Sequence, residues 1–174
     1  GQAAAAAVLL LGYWGLMTLV PVPGYGARDL GKAGSLAAYI DRAVLGPSHL
    51  WSQAKVYDPE GLLSTLPAVA TTLLGVLAGH WLARGPTPRA VAAGLAGAGV
   101  AATALGALWG LWFPINKALW TSSYALFTGG LAALALAACY WLIEARGVRR
   151  WAEPFAWFGV NALALFFLST LAAK

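Results

Sequence analysis

Apolar runs alternate with short polar breaks along this chain, and five of the runs are long enough to cross a bilayer. They are residues 3–20, 61–83, 90–112, 118–143 and 155–173, and none contains Asp, Glu, Lys or Arg. A helix needs about 20 residues to span the hydrocarbon core. Backbone groups in hydrocarbon must be paired within the segment, and these runs lack the strict alternation of barrel strands. The pattern predicts an all-α, polytopic membrane helix bundle with five transmembrane helices. Residues 84–89, 113–117 and 144–154 are short connections, which make successive helices antiparallel. Residues 1–174 read as a single helical unit.

The connection 21–60 is longer and carries structure of its own. Leu36 to Leu45 place apolar residues at helical spacing, with Asp41 and Arg42 on the polar side, and Gly46-Pro47 ends the segment. The segment is expected to be a short amphipathic helix of the kind that lies at a membrane interface or caps a bundle. A second short segment follows through His49, Leu50 and Trp51, whereas 21–34 is rich in Gly and Pro and reads as irregular. Small residues crowd the third run at Gly94, Gly97, Gly99, Gly106 and Gly110, the last pair spaced G-x-x-x-G. Such spacing lets helix backbones approach closely. Packing inside the bundle is the preferred use, with a homodimer interface as the alternative.

Composition narrows the class. The chain is 60% hydrophobic and 10% charged, against about 25% charged residues in an ordinary soluble domain. That excludes a solvated globule, a disordered tail and a nucleic-acid binder, because the net charge of +5 is scattered rather than gathered into a basic face. The expected partner is the lipid bilayer. Arg84, Arg89, Arg146, Arg149 and Arg150 are concentrated in two short loops, which the positive-inside rule places in the cytoplasm. Arg28, Lys32, Arg42, Lys55, Lys117 and Lys174 are spread more thinly on the opposite, non-cytoplasmic side. Cys139 stands alone in an apolar run, so it reads as a helix packing residue and supports no disulfide framework. No cation precedes the first run, which is therefore not a signal peptide. With Gly1 in first place, the chain is expected to be a piece of a longer protein.

Three groups of residues could carry chemistry. Asp58 and Glu60 lie in Tyr57-Asp58-Pro59-Glu60-Gly61 at the entry to the second run. A helix N-terminus there would stabilise carboxylates, and the same pair could orient an imidazole or an amine. Phe113 to Tyr124 hold Asn116, Lys117, Trp120, Thr121, Ser122, Ser123 and Tyr124. That density of donors and aromatic rings suits a polar ligand carrying phosphates or a sugar: Lys117 as a point charge for phosphate, Trp120 as a stacking surface. The same residues could instead cap a turn and fill an interfacial aromatic belt. His49 and His80 could move protons near neutral pH, although a histidine inside a helix such as His80 more often packs. No second His or Cys stands at ligand spacing, so no metal is expected. Asn161, in the last run, is expected to be a buried amide that joins helices or touches substrate.

These stretches also carry a resemblance. AAYIDRAVLGPSHLW (37–51), YDPEGLLSTLPAVATTLLGVLAG (57–79), FPINKALWTSSYALFTGGL (113–131) and EPFAWFGVNAL (153–163) occur in this order. Together they resemble the C-terminal portion of the heparan-alpha-glucosaminide N-acetyltransferase family, multi-pass membrane enzymes of animal lysosomes and of many bacteria. The resemblance implies transfer of an acetyl group from acetyl-CoA to a glucosamine-type amino sugar across the membrane. It implies a missing N-terminal half that bears the family's catalytic histidine, since His49 matches a different family position, so this chain alone is expected to be inactive. Asn116, Lys117, Trp120, Ser123 and Tyr124 become the expected ligand contacts, with Asp58 and Glu60 holding charge. The long loop has no Cys, and neither Asn lies in a glycosylation acceptor, which favours a bacterial inner membrane over a lysosome. The rival class is a transporter or channel subunit, which would place ionisable residues near the midplane, whereas every acid here lies outside the runs.

Overall fold

The structure, a computed structural model, describes residues 1–52 and 55–172. The helices are α1 (Gln2–Leu19), α2 (Leu36–Leu45), α3 (Thr65–Arg84), α4 (Pro88–Trp109), α5 (Ser122–Tyr140), α6 (Glu153–Val160) and α7 (Ala162–Ala172). Four of them, α1, α3, α4 and α5 extended through a π-helical turn at Trp141–Ala145, are long and apolar enough to cross a membrane. The chain is a multi-pass helical membrane protein.

The fifth predicted span, 155–173, is broken rather than continuous. α6 and α7 meet at Asn161 with a bend of 74°. Asn161 leaves helical geometry, and its side-chain amide donates to the Trp157 carbonyl at 2.8 Å. A short polar side chain that bonds the backbone one turn earlier competes with the helical ladder, which accounts for the break. Asn161 is exposed, not the buried amide expected from its run. Ala173, the last residue of that run, and Lys174 lie outside the described residues.

α4 and α5 approach most closely, and glycine is the reason. A Cβ on Gly99 would meet the Gly130 carbonyl at 2.9 Å, one on Gly106 would overlap the Phe127 backbone, and one on Gly130 would overlap Thr103. The small residues of the third run therefore pack within the bundle. They do not contribute equally, since nothing lies within 4 Å of a Cβ on Gly97. At the arginine-rich end the Trp81 indole donates to the Val91 carbonyl at 3.1 Å, over a cluster of Val91, Leu95 and Ala137. Cys139 is exposed on α5 rather than packed.

At the other end, Tyr13, Met17, Leu36, Phe113 and Leu119 form one buried cluster that fastens α1, α2 and the α4–α5 connection together. α2 forms where expected: the Ser35 hydroxyl accepts from the Ala38 amide, and Gly46 ends the helix at φ +78°. Its expected polar side is not turned to water, because Asp41 is fully buried while Tyr39, Val44 and Leu45 are exposed. His49 to Trp51 form a turn and its exit rather than a second helical segment.

Candidate functional site

Two predicted runs begin four residues later as helices than hydropathy indicates, and both delays build this end of the bundle. Residues 61–64 form a turn before α3 because Asp41 and Ser64 engage its backbone. The Leu62 amide donates to Asp41 Oδ1 at 2.9 Å, and the Ser64 hydroxyl donates to the Gly61 carbonyl at 2.8 Å. Gly61 lies against the Asp41 carboxylate so tightly that an added Cβ would overlap Oδ2. That Oδ2 atom is buried and has no hydrogen-bond partner. Burial pushes the Asp41 carboxyl above its ordinary value, the Asp58 charge adds to the rise, and the Leu62 amide and Arg42 oppose it. A neutral carboxyl is the form that such a desolvated position favours.

Asp58 and Glu60 do not occupy the first turn of α3, whose N-cap is Ser64. Asp58 Oδ1 instead accepts the Glu60 amide at 2.9 Å within its own turn, and Glu60 is exposed. Arg42 spends its guanidinium on the Val56 carbonyl (2.6 Å) and the Ala33 carbonyl (2.7 Å), drawing the two arms of the long connection together. His49 is exposed, with Nδ1 within 2.9 Å of the Leu45 carbonyl at the end of α2. His80 is exposed on α3, toward the arginine-rich end.

Residues 113–121 fold before α5 starts, again through polar side chains. Asn116 Oδ1 accepts the Ala118 amide at 2.9 Å and the Leu119 amide at 3.4 Å. The Thr121 hydroxyl accepts the Asn116 amide (3.0 Å), donates to the Pro114 carbonyl (2.8 Å) and caps α5 at the Tyr124 amide (3.4 Å). Ser123, fully buried, donates to the Phe113 carbonyl at 2.6 Å, and buried Ser122 donates to the Leu10 carbonyl of α1 at 2.7 Å. The Tyr13 hydroxyl reaches the Leu119 carbonyl. Asn116, Thr121 and Ser123 therefore satisfy the element's own backbone, which a loop among buried helices requires, while Ser122 ties it to α1.

Trp120 reaches the neighbouring helix α3 instead. It sits in the left-handed region at φ +49°, as do Arg28 and Lys55, a conformation that costs a non-glycine residue of order 1–3 kcal/mol. Its indole N–H donates to the Thr71 hydroxyl of α3 at 3.2 Å, and its ring meets Tyr124 edge-on with centroids 5.4 Å apart. Both rings are half-buried, and Lys117 beside them is exposed. The structure thus brings Asn116, Trp120, Ser123 and Tyr124 into one element. No hydrogen bond or ion pair joins them to Asp58 or Glu60 among the described residues, and Asn161 lies beyond α5, near the start of α7. Sequence reasoning missed Asp41 and Thr71 as residues of this end, and it did not foresee Thr121 as the cap of α5. Asp41 and Gly61 stand in two of the motif stretches, but only the fold shows that they touch.

Comparison with known proteins agrees with the motifs. The chain is 38% identical over 97 residues to a protein named heparan-alpha-glucosaminide N-acetyltransferase from Homo sapiens, a match covering 43% of this chain and 15% of that protein. It is 38% identical over 88 residues to the protein of the same name from Mus musculus, covering 38% of this chain and 13% of that protein. The chain thus spans a small part of the length of the curated relatives it matches. No family model matches the chain, and no solved structure matches it.

Proposed function

We propose that this chain, a relative of the heparan-alpha-glucosaminide N-acetyltransferases, is part of an integral membrane acyltransferase that carries an acetyl group from acetyl-CoA to a glucosamine-type amino sugar across the membrane. The similarity to those two proteins carries the proposal. The basic loops face the cytoplasm of a bacterial inner membrane, and the α2 and 113–124 end faces the acceptor. There the Trp120 ring offers a half-buried face for a sugar, held in place by Thr71 and Tyr124. Lys117 and the Tyr124 hydroxyl, which makes no hydrogen bond among the described residues, meet polar groups of the ligand. Asn116 and Ser123 act from beneath by fixing the loop, and Asp58 and Glu60 supply negative charge beside it.

Acetyl transfer to an amine needs a base for the amine proton and donors for the oxyanion that develops at the thioester carbonyl. In this proposal the base comes from the N-terminal half of the longer protein, which is the chain's essential partner. The test is turnover of acetyl-CoA and glucosamine by the purified chain and by the complete protein. Turnover by the complete protein alone is expected. Failure of both would sink the acyltransferase proposal, and turnover by the chain alone that is lost in His49→Ala would move catalysis onto His49.

A further inference from the structure

At the arginine-rich end, α4 and α5 leave an open groove of about 450 Å³ between them. Its walls are mostly alanine, among them Ala92, Ala93 and Ala96, together with Leu134, and Arg89 and Trp141 also line it. Arg89 lies in the first turn of α4 and makes no hydrogen bond or ion pair among the described residues. α5 changes to a π-helical turn at Trp141, a deformation that occurs often at functional sites. The Arg146 guanidinium lies over the Trp141 ring, 5.0 Å from its centroid. The one acid on this turn, Glu144, is taken by Arg149 at 3.1 Å, so it does not neutralise Arg89 or Arg146.

We propose that this groove binds an anionic phospholipid, one acyl chain lying along the alanine wall and the phosphate held by Arg89 and Arg146. An apolar trough that ends at Arg89, with Arg146 stacked on its Trp141 wall, matches a molecule with a hydrocarbon tail and an anionic head. A soluble phosphate would leave the trough empty, and a packed helix would leave two arginines without an anion at the depth of the headgroups. Arginine suits the site because its planar fork grips phosphate oxygens in pairs. Trp141 places the mouth at the membrane interface, where indoles concentrate. Basic pockets between transmembrane helices are a general means of holding anionic headgroups.

The full chain, purified in detergent, can be tested by native mass spectrometry with phosphatidylglycerol and phosphatidylcholine of identical acyl chains. Phosphatidylglycerol should be retained more than phosphatidylcholine by about fivefold or better, the scale set by one interfacial arginine. Arg89→Gln should cut that preference by about fivefold, while Arg84→Gln, a cation of the same loop outside the groove, should leave it intact. Ala93→Phe, at an exposed position in the groove, should reduce retention of both lipids. Equal retention of the two lipids, an equal effect of Arg84→Gln, or displacement of the lipid by millimolar coenzyme A or inorganic phosphate would overturn the proposal. Arg89→Gln alone decides the matter should Ala93→Phe not fold.

Discussion

Gly61 and Asp41, twenty positions apart in sequence, are in direct contact, with the Gly61 backbone pressed onto the carboxylate and Asp41 Oδ1 taking the Leu62 amide at 2.9 Å. A Cβ at position 61 has no room, because what it meets is a buried side chain pinned by a backbone hydrogen bond. Gly61→Ala should therefore cost about 1–3 kcal/mol, the usual penalty for forcing extra volume into a packed site. Thermal unfolding in detergent measures it, and a variant as stable as the parent would show that the turn can shift freely.

Asp41 also sets a pH dependence. Its carboxyl ionises above the ordinary carboxylate value because it is buried. Between the unfolded-state value and this raised one, the folded state holds more protons than the unfolded state. Stability contributed by Asp41 is then fully present below the ordinary value and is lost as pH rises through the raised value. Asp41→Asn keeps an acceptor for the Leu62 amide and cannot ionise, so its stability should fall less than the parent's as pH rises above the ordinary carboxylate range. Unfolding midpoints of the two proteins across that rise in pH provide the comparison, and parallel curves would refute the assignment.

What the sequence made legible follows from what hydropathy measures. Four helices and the amphipathic α2 were readable because a bilayer imposes length and apolarity on any helix that spans it. The turns at 61–64 and 118–121 were not, since hydropathy carries the runs through them. They leave the helix because Asp41, Asn116 and Thr121 capture their backbone, and hydropathy does not register who donates to whom. The same holds for Asn161, whose side-chain amide donates to the Trp157 carbonyl at the break in the last run. At the site, Trp120 was singled out as an aromatic donor, but its left-handed backbone and its bond to Thr71, 49 positions away, exist only in the fold.

The α4–α5 interface makes a sharp contrast between two glycines of one helix. Gly106→Leu must separate the helices at Phe127, whereas Gly97→Leu adds a side chain where nothing lies within 4 Å. The first should destabilise the bundle by about 1–3 kcal/mol or prevent folding, and the second should change little. Should Gly97→Leu instead weaken self-association on a size-exclusion column with no loss of stability, the outer face of α4 would be a contact between copies.

Topology can be read by labelling single cysteines in a background with Cys139→Ala. Ser48 in the long connection and Pro86 in the short basic one are both exposed and suit the purpose. Ser35 and Thr87 serve less well, because each caps a helix with its side chain. A membrane-impermeant maleimide added to intact cells should label Ser48→Cys and spare Pro86→Cys, as the arginine density requires. The reverse pattern would invert the bundle and place the Trp120 element on the cytoplasmic side.

The element 113–124 divides its residues between holding the loop and meeting a ligand, and substitution can separate the two roles. Asn116 and Ser123 donate or accept within the loop, and Ser123 is fully buried. Removing either leaves backbone groups unpaired, so Asn116→Ala and Ser123→Ala should each lower stability by about 1–3 kcal/mol. Lys117 is exposed and the Trp120 face is partly open, so their loss should be felt first by substrate. A hydrogen bond to a charged group is worth about 1.5–3 kcal/mol, which is roughly 10–150-fold in kcat/KM. Lys117→Ala should fall in that range in the complete protein while its unfolding midpoint stays with the parent. Trp120→Ala should lose activity of similar size, and Trp120→Phe, which keeps a ring but drops the bond to Thr71, should recover part of it. A Lys117→Ala enzyme within about twofold of the parent in kcat/KM, together with a Trp120→Ala enzyme whose only defect is stability, would reduce the element to an interfacial anchor. The sugar-binding role would then have to pass to residues outside this loop.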